Sequence, residues 1–213
     1  MSRNVAFDKL LACITAHLTR SEDIVGFGDI DIDEVARKYK SLTAKMLAIY
    51  EAKDTDYSEN DLPMGNFRES FNLGIPSWKG ILLRIGDKKR RIGSFVKRAA
   101  YLVNDEGVDD TLVDLANYSL LGLVLWDEVY SVAIANGHMI NDPQIDYATW
   151  QDTRVAWLEL AIFSLQAKLY YEYRDVPNVE SWAGGSWQNV NEYYDQLSMF
   201  ARNNNHMNKD EIN

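Results

Sequence analysis

Residues 110–125, DTLVDLANYSLLGLVL, put apolar side chains on nearly every side of a helix. Leu112, Val113, Leu115, Leu120, Leu121, Leu123, Val124 and Leu125 leave little room for a solvated face. A helix of that kind is stable only when other elements surround it, so the chain must build a layered core around this segment. The same segment carries acids. On a wheel advancing about 100° per residue, Glu106, Asp114 and Asn117 all fall within about 40° of Asp110. Buried carboxylates are costly unless paired or bound to metal, and three in one line repel one another.

The rest of the chain reads as helices that could enclose it. Val5, Leu10, Leu11, Ile14 and Leu18 recur at helical intervals over residues 4–18. A second helix starts at Asp33, expected as its N-cap, with Val35, Met46, Ile49 and Tyr50 turned inward. Residues 54–78 contain Pro63, Gly65, Gly74 and Pro76 and little periodicity, which predicts a long loop. A third helix is expected over 77–102, its apolar stripe formed by Ile81, Leu82, Ile85, Ile92 and Val96. The fourth covers 109–135 and ends at Asn136-Gly137. The fifth covers 147–173, with Trp150, Trp157, Leu158, Phe163 and Leu169 available for packing, and a shorter helix covers 187–202. No segment alternates with the period of a strand. The expected fold is all-α, a bundle of about five to seven helices in one domain over residues 1–213. Residues 146–202 read as an aromatic-rich C-terminal extension and 203–213 as a frayed tail.

Composition narrows the function. The formal net charge is −10, which disfavours binding to bulk nucleic acid. One cysteine, Cys13, excludes an internal disulfide or a cysteine-rich metal site and fits a reducing compartment. The apolar stretch at the N-terminus is interrupted by Asp8 and Lys9, so it reads as an amphipathic helix and not as a signal peptide. With no membrane-spanning run of about 18 apolar residues, the expected location is the cytoplasm.

The average charge hides a polarity. Residues 79–98 hold eight basic side chains and one acid, a local +7 set against −17 for the rest. Arg84, Asp87, Lys88 and Arg91 stand at i, i+3, i+4 and i+7 and share one stripe of the third helix. Facing the acidic line across a cleft, Arg84, Lys88 and Arg91 would hold phosphate oxygens while Glu106, Asp110 and Asp114 bind Mg2+ or Mn2+, the cations that suit oxygen-only ligands. The same groups can equally form interhelical salt bridges. Asp105 and Asp109 read as capping or solvated charges, and Lys89, Arg90, Lys97 and Arg98 as a solvated face. Lys53, Asp56 and Tyr57 stand where a loop could meet a nucleobase or sugar, as could Asn117. His17, His138 and His206 lack metal-ligand spacing, and there is no glycine-rich phosphate loop or nucleophile elbow.

The strings KDTDY at 53–57, FNLG at 71–74, RIGDKKRRI at 84–92 and DEGVDDTLVDLANYSLL at 105–121 resemble the nucleotide modification associated domain 1 family, whose members are largely phage and prophage proteins. The likeness covers residues 45–125. It implies a role in phage nucleotide metabolism or DNA base modification, in the host cytoplasm. The acidic helix is also similar to that of the MazG-like all-α nucleoside triphosphate pyrophosphohydrolases, with Asp114 at the terminal Asp of their Glu-x-x-Asp motif. Thr111 stands where that motif has Glu, and Asp87, Lys88 and Arg91 stand where those enzymes carry an acidic cluster. The resemblance implies a Mg2+-dependent nucleotide phosphohydrolase, with Asp110 and Asp114 catalytic, that assembles as a homo-oligomer. The alternative is a non-catalytic nucleotide-binding protein, or an adaptor that meets a protein partner through its aromatic C-terminal third.

Overall fold

Apolar residues at helical period, with few breakers between them, fold into six helices among the residues that the computed structural model describes, 5–57, 70, 73–98, 107–135 and 147–203. The side chains of 53–57, 129, 130 and 132–135 lie outside the description. The helices are α1 (Val5–Leu18), α2 (Ile32–Tyr57), α3 (Ser77–Arg98), α4 (Val108–Ala135), α5 (Tyr147–Glu172) and α6 (Ser186–Asn203). No strand occurs among the described residues, and the pairing of Phe27 with Val179 is an isolated bridge. The fold is the expected all-α bundle, and no described helix is long and apolar enough to cross a membrane.

Two local readings change. Helix α2 runs on to Tyr57, so KDTDY is helical and not the start of a loop. The first proline after it is Pro63, so nothing in DTDY removes a backbone donor. The cap of α2 is Asp31 and not Asp33: Asp31 Oδ1 accepts the Asp33 amide at 3.1 Å, and the Asp31 carbonyl accepts from Val35 at 3.1 Å.

Helix α4 lies at the centre, packed against α1, α2, α3 and α5. From Thr111 to Trp126 every residue except Tyr118 is buried, as an all-round apolar helix requires. Its neighbours on both sides run antiparallel to it. Trp78 of α3 meets Trp126 at 5.3 Å between ring centroids, while Lys88 reaches Asp114 near the other end. On α5, Arg154 reaches Asp127 and Lys168 reaches Asp109. Helix α6 packs on α3 and α5, with Phe200 5.9 Å from Trp78 and Phe163 stacked on Tyr193 at 5.8 Å. Phe7 stacks on Tyr50 at 4.2 Å and joins α1 to α2. Buried residues of all six helices form one cluster. Two residues of the expected apolar stripes lie outside it, Val5 and Val96, which sit in the end turns of their helices and are exposed.

The α1–α2 connection is pinned to the α5–α6 connection. The Glu180 amide donates to the Gly26 carbonyl at 2.7 Å, and Tyr170 Oη donates to the Val25 carbonyl at 2.8 Å. Gly26 has φ +78°, and a Cβ there would lie 2.6–2.8 Å from atoms of Glu180 and Tyr170. Burial, and then the nearby Glu180, push the Tyr170 hydroxyl up to about 12, so it stays protonated and able to donate near neutral pH. Tyr170→Phe is expected to cost about 1 kcal/mol in urea unfolding, the usual net value of one such bond.

Candidate functional site

The polar line of α4 lies beside two helices, α2 and α3, each of which packs on it. Each sends a lysine to the line. Lys45 Nζ of α2 is 3.0 Å from Asp110 Oδ1, both side chains being more than half exposed. Lys88 Nζ of α3 is 2.9 Å from Asp114 Oδ2, and here the side chains are only 19% and 11% exposed. The first pair is worth at most about 1 kcal/mol. The second is sheltered enough that solvent screens it far less.

Asn117 follows Asp114 by three residues on the same face and is 5% exposed. Neither its Nδ2 nor its Oδ1 has a hydrogen-bond partner among the described residues. On the α3 side, Arg84 is exposed and Arg91 half-buried on the stripe that holds Lys88. Asp87 is turned to Arg90 instead.

The structure therefore brings Lys88 to Asp114, with Asn117 one turn along the same face of α4, Arg84 and Arg91 on the stripe that carries Lys88, and Asp110 at the more exposed end. Glu106 lies outside the described residues. Lys53, Asp56 and Tyr57 belong to the last turns of α2 by their backbone, and their side chains lie outside the description. Among the described residues no group of three or more His, Cys, Asp or Glu is placed to hold a metal. His17 faces Asp23 at 3.2 Å, Cys13 is exposed, and His138 and His206 fall outside.

Several charges are engaged where solvent was expected. Asp109 Oδ1 lies 3.0 Å from Nζ of Lys168, which is itself 2.7 Å from Glu172 Oε2. Lys38 reaches the other oxygen of Glu172, and Tyr173 Oη donates to Glu34 at 2.7 Å. This network ties α2, α4 and α5 together beside the first turn of α4. Burial alone would lower the Lys168 ammonium, but its bonds to Glu172 and Asp109 outweigh that and raise it. Burial likewise opposes ionised Glu172, while Lys168 and Lys38 bring it below the usual carboxylate range. Lys89, expected on a solvated face, pairs with Asp195 at 2.8 Å and lies over the Tyr194 ring. Sequence reasoning missed Lys45, Lys168, Lys38 and Glu172; the i, i+4 spacing of Lys168 and Glu172 is a local signal for their own pairing, whereas Lys45, Lys38 and the Asp109 contact of Lys168 reach other helices, which no local pattern marks. Of the aromatic side chains in residues 147–203 only Tyr147 is exposed; the others are buried or packed at the edge of the core. The chemistry of the site has to be argued from its own residues: no protein family, no curated protein and no solved structure matches this chain.

Proposed function

We propose that the protein binds a (deoxy)nucleotide along the seam between α2 and α3 and hydrolyses or transfers its phosphate with Mg2+ or Mn2+. The observation that carries this reading is the sheltered Lys88–Asp114 pair, with the Asn117 carboxamide, which has no hydrogen-bond partner among the described residues, one turn along the same face of α4. Arg84, Lys88 and Arg91 supply the cations that neutralise phosphate oxygens. Lys53, Asp56 and Tyr57 contact base or sugar from the end of α2. The resemblance of residues 45–125 to phage nucleotide-metabolism proteins points the same way, and with it to the host cytoplasm and to a homo-oligomer.

The donor set fits the cation. Mg2+ keeps several waters and is commonly held by one or two carboxylates plus substrate phosphates, which Asp110 and Asp114, one turn apart, can provide with Glu106. When bound, the ion supplies charge neutralisation and a water of lowered pKa. Asp110, the more exposed carboxylate, takes the proton of the attacking water as the new P–O bond forms and the bond to the leaving group breaks. Asp114 fixes Lys88 in the seam. A second reading has its own support. Asp114 is already neutralised by Lys88 at 2.9 Å, so the same seam can bind a nucleotide without turning it over, as a sensor or adaptor.

Calorimetric titration with nucleotides, with and without Mg2+, tests the proposal. Lys88→Met is expected to weaken binding by roughly tenfold or more. Without ligand, Lys88→Met or Asp114→Asn alone costs about 2–3 kcal/mol and the double variant less than their sum, because the two side chains touch and their losses overlap. Failure of every nucleotide to bind at millimolar concentration sinks the proposal. Binding without turnover leaves the sensor reading.

A further inference from the structure

We infer that Asn117 is the specificity-determining residue of the seam, the group that tells a nucleotide from a bare phosphate by pairing its carboxamide with the uncharged, hydrogen-bonding part of the ligand. The inference rests on the nucleotide reading above. Its starting point is an imbalance that the protein alone does not relieve. Asn117 is 5% exposed, and both its donor and its acceptor atoms lack partners among the described residues. Buried polar side chains are nearly always satisfied, so an exception calls for a physical reason.

The hydroxyl residues Thr111 and Ser119 of the same helix do not share the problem, and its carboxylates Asp109 and Asp127 are held by Lys168 and Arg154. Thr111 Oγ1 donates to the Gly107 carbonyl at 2.9 Å, and Ser119 Oγ donates to the Leu115 carbonyl at 2.7 Å. An asparagine inside a helix can do likewise: in α6, Asn191 Nδ2 donates to the Trp187 carbonyl at 2.7 Å, four residues back. Asn117 makes no such bond to Val113, so its amide group is held away from its own backbone. It also shares a helix face with Asp114, whose carboxylate pairs with Lys88. Three residues separate it from Asp114, which places the two side chains about 5–6 Å apart at Cβ on one face. A phosphate held by Lys88, Arg84 and Arg91 therefore brings the neighbouring part of its molecule to the amide.

A carboxamide is neutral and adds nothing to phosphate attraction. It offers one donor and one acceptor side by side, matching an adjacent acceptor and donor on a nucleobase edge or on a sugar hydroxyl. Inorganic polyphosphate has neither pattern. The expected discrimination is therefore between nucleotides and tripolyphosphate, and between ribose and 2′,3′-dideoxyribose if the sugar is the contact.

Thermal shift and calorimetry on the full chain with Mg2+ test this, using ATP, 2′,3′-dideoxy-ATP and tripolyphosphate with the wild type, Asn117→Leu and Asn117→Ala. The wild type should bind ATP roughly tenfold or more tighter than tripolyphosphate. Asn117→Leu, which removes two unsatisfied atoms at similar volume, should melt about 2–4 °C higher without ligand and bind ATP no better than tripolyphosphate. Asn117→Ala should lose the same preference and gives that answer if the leucine variant does not fold. Dideoxy-ATP that binds like ATP assigns the contact to the base, and dideoxy-ATP that binds like tripolyphosphate assigns it to the sugar. A variant that keeps the wild-type preference for ATP, or a wild type without one, overturns the inference while leaving phosphate binding at the seam intact. If none of the three compounds binds the wild type, the nucleotide reading fails, and this inference fails with it.

Discussion

Gly122→Ala is expected to destabilise the protein by about 3 kcal/mol or more, although at an exposed helical position the same change would stabilise by about 1 kcal/mol. A Cβ at residue 122 would lie 2.4, 2.5 and 2.8 Å from Cζ3, Cη2 and Cε3 of Trp157. Real side chains do not approach so closely. Trp157 is fully buried, so its ring cannot swing into solvent, and α4 and α5 must move apart along their whole contact. Trp157→Phe removes the outer ring that would be struck, and by itself it leaves a cavity that costs about 1–3 kcal/mol. The double variant should accordingly be more stable than Gly122→Ala alone. Urea unfolding of the four proteins measures this coupling, and additive effects would show that the helices yield without resistance.

Lys168→Met is expected to lower stability at pH 7 by about 2–3 kcal/mol, because it leaves Asp109 and Glu172 facing each other without their shared cation. Both acids are partly exposed, which keeps the loss below that of a fully buried pair. The pH profile is the sharper readout. Glu172 lies below its ordinary value in the folded protein, so its contribution is present above the unfolded carboxylate range near pH 4 and is lost as pH falls through the lower folded value. Lys168 lies above its ordinary value, so its contribution is complete below about pH 10 and is lost as pH rises through the raised one. The gap between wild type and Lys168→Met should therefore be widest from about pH 5 to pH 9 and close at both ends. A gap that does not change with pH would mean that the lysine acts by packing alone.

The two sites differ in how far they could be read in advance. Asp110, Asp114 and Asn117 were placed on one face by helical spacing alone, and Lys88 and Arg91 on a facing stripe. Those spacings survive, because i, i+3 and i+4 relations are properties of a single helix. Lys45, 65 residues from Asp110, and Lys168, 59 residues from Asp109, were not legible, since no local pattern says which distant turn will lie alongside. Asp109 shows the consequence. Its place in the first turn suggested a solvated charge, and the docking of α5 turned it into one arm of an ion network.

Helicity, the starts of α3 and α4, the approximate ends of α5 and α6 and the burial of α4 all follow from the sequence by itself, while the expected ends of α3 at 102 and of α4 at Asn136-Gly137 lie outside the described residues. They depend on period, on breakers and on an apolar surface too wide to be left in water, and each of these acts over a few turns. What only the tertiary structure decided is the state of the polar atoms on that buried helix. Asp110 and Asp114 are each met by a lysine from a different helix, and the Asn117 carboxamide has no hydrogen-bond partner among the described residues. Whether a buried polar atom is satisfied depends on helices that approach from tens of residues away, and on which side chains their docking brings within hydrogen-bond reach.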